Sequence, residues 1–145
     1  VLFFICLKIL KFACFITDNL IMKKVIATVD APKAVGPYSQ AIEVNGTLYI
    51  SGQIPVNPAD GEIQEDITAA AHQSLKNIGA ILKEAGMTYD NVVKTTVLLA
   101  DIADFKAVNE VYAEYFTGDK PARACYQAAA LPLGVKVEIE AIAVK

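Results

Sequence analysis

Near its C-terminus the chain reads Pro121-Ala122-Arg123-Ala124-Cys125-Tyr126, and a later run carries Glu138-Ile139-Glu140. A guanidinium is permanently charged, and its planar fork matches a carboxylate through two parallel hydrogen bonds. A glutamate beside it can accept a proton from water. Together these residues point to a small pocket that holds an organic acid and hydrolyses a bond next to its carboxylate. Each also has an ordinary explanation. Strand arginines commonly sit in surface ion pairs. Two glutamates two positions apart, balanced by Lys136, commonly form a solvated strand face. If that face is buried instead, their pKa values rise or they need partners.

Tyr38 follows Gly36-Pro37 and Ser51 precedes Gly52, so both lie at loop or strand ends, where sites concentrate. Local hydrogen bonding in a turn is the competing explanation for both. Cys125 invites a nucleophile reading, but a nucleophilic cysteine needs an activating base. The single histidine, His72, falls on a predicted helix near Gln73 and is expected to be exposed. Cys125 is therefore read as a small pocket-lining residue, open to oxidation. So few His and Cys give no metal-ligand spacing. The sequence also shows no Gly-rich phosphate loop and no cofactor motif.

The elements that must position these residues follow from periodicity. Residues 135–144 alternate, with Val135, Val137, Ile139 and Ala141 on one side and Lys136, Glu138 and Glu140 on the other, which predicts a strand. Strands are also predicted over 25–28, 40–44, 47–51, 92–100 and 124–128. Asn45-Gly46 favours a tight hairpin turn. Residues 54–61 hold two prolines and Asp60-Gly61 and should form an extended loop. A helix is predicted over 66–85, with Ile67, Ala71, Leu75 or Ser74, Ile78 and Leu82 inward, Asp66 capping it and Gly86 ending it. A second helix over 104–116 turns Phe105, Val108, Tyr112 and Tyr115 inward. The order β-β-β-α-β-α-β-β predicts an α+β fold, one mixed sheet with both helices on one face. The other face then needs cover, which points to association with further copies.

A chain of 145 residues with a formal charge of −3 makes one domain with a real core. Its acidic balance argues against nucleic acid as a partner. Residues 1–21 hold four of the six Phe and two of the three Cys. Lys8 and Lys11 interrupt that apolar run, which does not suit a membrane span, and without a basic segment before it or an A-x-A-like cleavage site it does not suit a secretory signal. The expected division is a non-native or targeting-like extension over 1–21 and a single domain over 22–145. The domain retains only Cys125, which fits a reducing, cytoplasmic setting, and no membrane partner is expected.

From about Met22 to Lys145 the chain resembles the RidA/YjgF family of enamine/imine deaminases. The resemblance rests on Pro121 to Tyr126 with Glu138, and on four further blocks in order. These are Ala31-Pro32 through Gly36-Pro37-Tyr38-Ser39-Gln40, Ser51-Gly52-Gln53-Ile54-Pro55-Val56-Asn57-Pro58, Val93-Lys94-Thr95-Thr96-Val97 and Val108-Asn109-Glu110-Val111-Tyr112. It implies a chorismate-mutase-like fold and a homotrimer with pockets between subunits. It also implies hydrolysis of 2-aminoacrylate-type imines and enamines to 2-oxo acids and ammonia, downstream of pyridoxal-phosphate dehydratases. By the same resemblance Arg123 clamps the substrate carboxylate and Glu138 activates the water. Tyr38 and Ser51 line the pocket, the Gly52 N–H helps hold the carboxylate, and Asn109 reaches the rim unless it is simply an exposed helical residue. Glu140 is left structural. Leu131-Pro132-Leu133-Gly134 departs from the charged residues often found there in the family, which bears on the side chain accepted. Two other functions compete, a non-catalytic module binding 2-oxo acids and a ribonuclease or translation inhibitor. A stress-induced chaperone role is a further alternative.

Overall fold

A computed structural model of the chain describes residues 22–145, and the extension expected over 1–21 lies outside them. Six strands form one sheet: β1 (Lys24–Ile26), β2 (Ala41–Val44), β3 (Thr47–Gln53), β4 (Val92–Leu99), β5 (Ala122–Gln127) and β6 (Val137–Val144). The helices are α1 (Ile67–Glu84) and α2 (Phe105–Tyr115). The spatial order is β1-β2-β3-β6-β4-β5. All pairs are antiparallel except β4–β5. This is the α+β arrangement that the alternation and the helical stripes predict, with each strand end moved by at most a few residues.

Local chemistry explains the element ends. Asn45 and Gly46 take positive φ values of 50° and 76°, which lets Val44 pair with Thr47 across the shortest hairpin. The Asp66 carboxylate accepts from the Ala69 N–H at 3.0 Å and caps α1. Gly86, at φ 70°, lets the chain turn away after the helix.

The core lies between the sheet and the helices. Leu48, Leu75, Ile78, Ile81, Leu82, Val97, Leu99, Val111, Val137 and Ile139 are fully buried there. Along β6 the burial alternates, so Val137, Ile139, Ala141 and Ala143 face the helices and Glu138, Glu140 and Ile142 face away. The face away from the helices carries Ile42, Tyr49, Lys94, Thr96, Glu140 and Ile142 around a shallow depression of about 300 Å3. Tyr49 is 49% exposed there and Tyr126 53%.

Candidate active site

The pairing of β3 with β6 slips between Ile50 and Gln53: Ile50 faces Ala141, while Gln53 faces Ile139. Three steps along β3 therefore match two along β6, and the bulge falls on Ser51-Gly52. Such a bulge bends the strand and re-aims its neighbours. Here it brings the Gly52 backbone against the Glu138 side chain. A Cβ on Gly52 would overlap Glu138 Oε1 and stand 2.7 Å from its Cδ. Only glycine leaves that space.

Glu138 and Gly52 lie in a cleft of about 690 Å3 whose walls also include Tyr38, Ser51, Ile54, Leu133 and Glu140. Burial, and then the charge of Glu140, push the Glu138 carboxyl above its ordinary range. Among the described residues no side chain donates a hydrogen bond to it. It is thus a half-buried carboxylate made more basic than usual and free to take a proton.

Two buried amides hold the cleft walls, and neither stood out in the sequence as a site residue. Gln40 Oε1 accepts from the Thr28 N–H at 2.7 Å, and Nε2 donates to the carbonyls of Thr28, Ala31 and Pro32. This ties down the loop that carries Pro32, Lys33, Val35 and Tyr38 to the cleft. Asn77 Nδ2 donates to the carbonyls of Ile54 and Val56 at 3.1 and 3.0 Å. Gln73 Nε2 donates in turn to Asn77 Oδ1. Asn77 interrupts the apolar stripe of α1, a signal that could have been read in advance. Ser51 Oγ donates to the Ser39 carbonyl at 2.7 Å. Leu133, at φ 55°, projects from its turn 69% exposed at the cleft wall.

Arg123 is elsewhere. It pairs in register with Thr95 of β4, and Thr95 with Ala141 of β6. Thr95 and Ala141 are buried toward the helices, so Arg123 rises on the helix side of the edge strand. Its Cζ lies over the Tyr112 ring at 4.7 Å and over the Phe105 ring at 5.6 Å. Among the described residues it makes no ion pair. Asn109 is on the same face of α2, three residues before Tyr112 and four after Phe105. Glu138 points from the opposite face of the sheet. One chain therefore carries two separate groups: Tyr38, Ser51, Gly52 and Glu138 in the cleft, and Asn109 with Arg123 at the β5–α2 edge.

Two sequence readings change. Phe105, expected inward, is 40% exposed, where it lies beside Arg123 at the start of α2. His72, expected exposed, is partly buried, with Nδ1 3.0 Å from the Tyr115 hydroxyl. Cys125 stands with Arg123 and Asn109 at the β5–α2 edge rather than on the cleft wall. It packs on the core from the same side as Arg123, and burial raises its thiol pKa against the opposing pull of Arg123. A thiol held protonated in this way is a poor nucleophile. Among the described residues no three His, Cys, Asp or Glu side chains gather as a metal site. No described helix is long and apolar enough to cross a membrane.

Sheet, helices and a glutamate-bearing cleft define a small α+β domain of the chorismate-mutase-like kind, built to handle a small molecule. Residues 28–145 match the family model described as Endoribonuclease L-PSP, and the chain belongs to this family, the RidA/YjgF family. It is 58% identical over 126 residues to the 2-iminobutanoate/2-iminopropanoate deaminase of Mus musculus, covering 86% of this chain and 93% of that one. The fold matches the Rid-family protein YyfA of Yersinia pestis with a TM-score of 0.83 at 51% identity, over 86% of this chain and 100% of that one. It matches E. coli TdcF, solved with bound serine, with a TM-score of 0.82 at 45% identity, over 84% and 98% of the two chains.

Proposed function

We propose that this chain is a hydrolytic deaminase of reactive 2-imino acids and their enamine tautomers, such as 2-aminoacrylate, 2-iminopropanoate and 2-iminobutanoate. The products are 2-oxo acids and ammonia. The observation that carries the reading is the Glu138 carboxylate, seated in the cleft against Gly52 with its pKa raised by burial. A base poised in this way suits the activation of water. The mouse relative's name gives the substrate class.

In the proposed reaction Arg123 binds the substrate carboxylate through its two-pronged edge, and the Gly52 N–H assists. The protonated imine makes C2 electrophilic. Water attacks C2 as Glu138 takes one of its protons, and the C=N π pair moves onto nitrogen. Glu138 passes that proton to the amino group of the carbinolamine. The remaining hydroxyl gives its proton to Glu138 as the C=O bond forms and the C–N bond breaks. Ammonia leaves and picks up the proton, which restores the carboxylate. Tyr38 and Ser51 wall the site, and Asn109 lies at its rim. Cys125, two residues from Arg123 on the same strand face, lines the arginine side of the site.

Arg123 and Glu138 face opposite sides of one sheet, so both reach one substrate only if a second copy supplies Arg123. A homotrimer, as the family resemblance implies, with pockets between subunits would do this, and the exposed sheet face with Tyr49 offers it an apolar surface. Pyridoxal-phosphate dehydratases that release such imines are the enzymes expected upstream, and the single cysteine of 22–145 fits a reducing cytoplasm.

The test is 2-oxo acid release in an assay where a threonine dehydratase generates the imine. The wild type should accelerate release, and Arg123→Ala and Glu138→Gln should abolish the gain. No acceleration by folded wild type would overturn the reading in favour of a metabolite-binding module. The family model's description favours RNA cleavage as a second reading. Against it, the cleft presents Glu138 and Glu140 with Lys33 as its one cation, a poor match for phosphate.

A further inference from the structure

A half-buried guanidinium with no carboxylate partner is costly unless something holds it, and the structure shows what does. Arg123 and Thr95 are partners in the β4–β5 register. Thr95 Oγ1 lies 2.7 Å from the Tyr112 hydroxyl in a buried hydrogen bond. The Tyr112 ring in turn lies under the Arg123 guanidinium. The three contacts close a triangle made of sheet pairing, hydrogen bond and cation–π contact. Tyr112 is braced further by Phe116, with ring centroids 4.4 Å apart. Burial pushes the Tyr112 phenol up, against the pull of Thr95 and Arg123, so the ring stays neutral. Phe105 presents a second ring from one end of the same helix face.

We propose that Tyr112 and Phe105 are the positioning residues of the carboxylate clamp: their rings hold the Arg123 guanidinium by its face and leave its N–H edge for the substrate carboxylate. The proposal rests on the reading of Arg123 as that clamp. An aromatic seat suits this task better than an acidic one. A glutamate partner would occupy the same N–H edge that the substrate needs, whereas a ring attracts the cation through its quadrupole and uses none of the donors. It also explains why Phe105 remains 40% exposed at the start of α2.

The experiment uses the full protein in the variants Phe105→Leu, Tyr112→Leu, Tyr112→Phe and Arg123→Ala. The readouts are KM and kcat for imine hydrolysis, and calorimetric binding of 2-oxobutanoate and of its uncharged amide. Phe105→Leu and Tyr112→Leu should each raise KM and weaken 2-oxobutanoate binding by roughly 3- to 30-fold. Amide binding should not change, and kcat should change less than KM. Tyr112→Phe keeps a ring face and should restore KM toward wild type. If Tyr112→Leu does not fold, the more exposed Phe105→Leu decides alone. Equal losses for acid and amide, or a fall in kcat at constant KM, would overturn the seat and leave the rings as packing. If Arg123→Ala leaves 2-oxobutanoate binding unchanged, the clamp itself fails, and the seat with it.

Discussion

If each active site draws Glu138 from one copy and Arg123 from the next, two dead variants should revive one another. Arg123→Ala subunits keep an intact Glu138 cleft, and Glu138→Gln subunits keep an intact arginine edge. In a closed ring of identical copies every interface is the same, so each site has one glutamate donor and one arginine donor. Mixed one to one at random, the donor of Glu138 is an Arg123→Ala subunit half the time, and its neighbour is a Glu138→Gln subunit half the time. About one quarter of the sites are then wild type at both positions, whatever the number of copies in a cyclic ring. The assay is 2-oxo acid release after the variants are denatured and refolded together, with each refolded alone as a control. Activity should recover to about a quarter of an equal amount of wild type, from almost nothing in either control. A mixture as dead as its parts, while sedimentation shows hybrid assemblies, would refute the shared site. Arg123 would then have no part in the site that holds Glu138, because the register keeps the two on opposite faces of one sheet.

Gly52→Ala should cost activity and about 1–3 kcal/mol of stability, because its Cβ overlaps the Glu138 carboxylate; kcat/KM and urea unfolding measure the two losses. Glu138 must be ionised to accept a proton, so kcat/KM should fall as pH drops through its raised pKa, and Glu140→Gln should move that limb to lower pH in a pH–rate profile. A carboxyl whose folded pKa is raised binds more protons folded than unfolded, so its contribution to stability falls as pH rises from the ordinary glutamate value through the raised one. Glu138→Gln should therefore be inactive yet melt no lower than wild type at neutral pH, as calorimetry would show. Gln40→Ala leaves the Thr28, Ala31 and Pro32 carbonyls without their donor and should cost about 1–3 kcal/mol. The same variant should free the Tyr38 loop, visible as faster amide exchange.

The alternation of 135–144 alone places Glu138 away from the core, and Asn45-Gly46 places the β2–β3 turn. Both are local signals, a period of two and a positive-φ dipeptide, and local signals survive folding. Arg123 was harder. Around it Ala122, Ala124 and Cys125 are all small, so β5 has no apolar side to orient it. Its face is set by parallel pairing with β4, a contact distant in sequence. The same holds for Gln40 and Asn77, whose partners are carbonyls of loops whose shapes no pattern encodes. The partial burial of His72 leaves no local mark, because its partner, Tyr115, lies on the other helix. The bulge at Ser51-Gly52 left no mark beyond a glycine in a strand, which only hints at close approach.

The strand order has a consequence for how the molecule comes into being. Strands β3 and β4 are never neighbours; each pairs with β6 instead, so the two parts of the sheet share no backbone ladder until residues 137–144 arrive. A growing chain leaves the ribosome N-terminal end first, so the β1–β3 meander waits with an open edge once Gln53 is made, and the β4–β5 pair once Gln127 is made. Such long-range closure is slow, and open edges invite pairing with other chains. The strand that ends this exposure is the one that carries Glu138, so a nascent chain lacks the carboxylate proposed to activate water until its sheet can close.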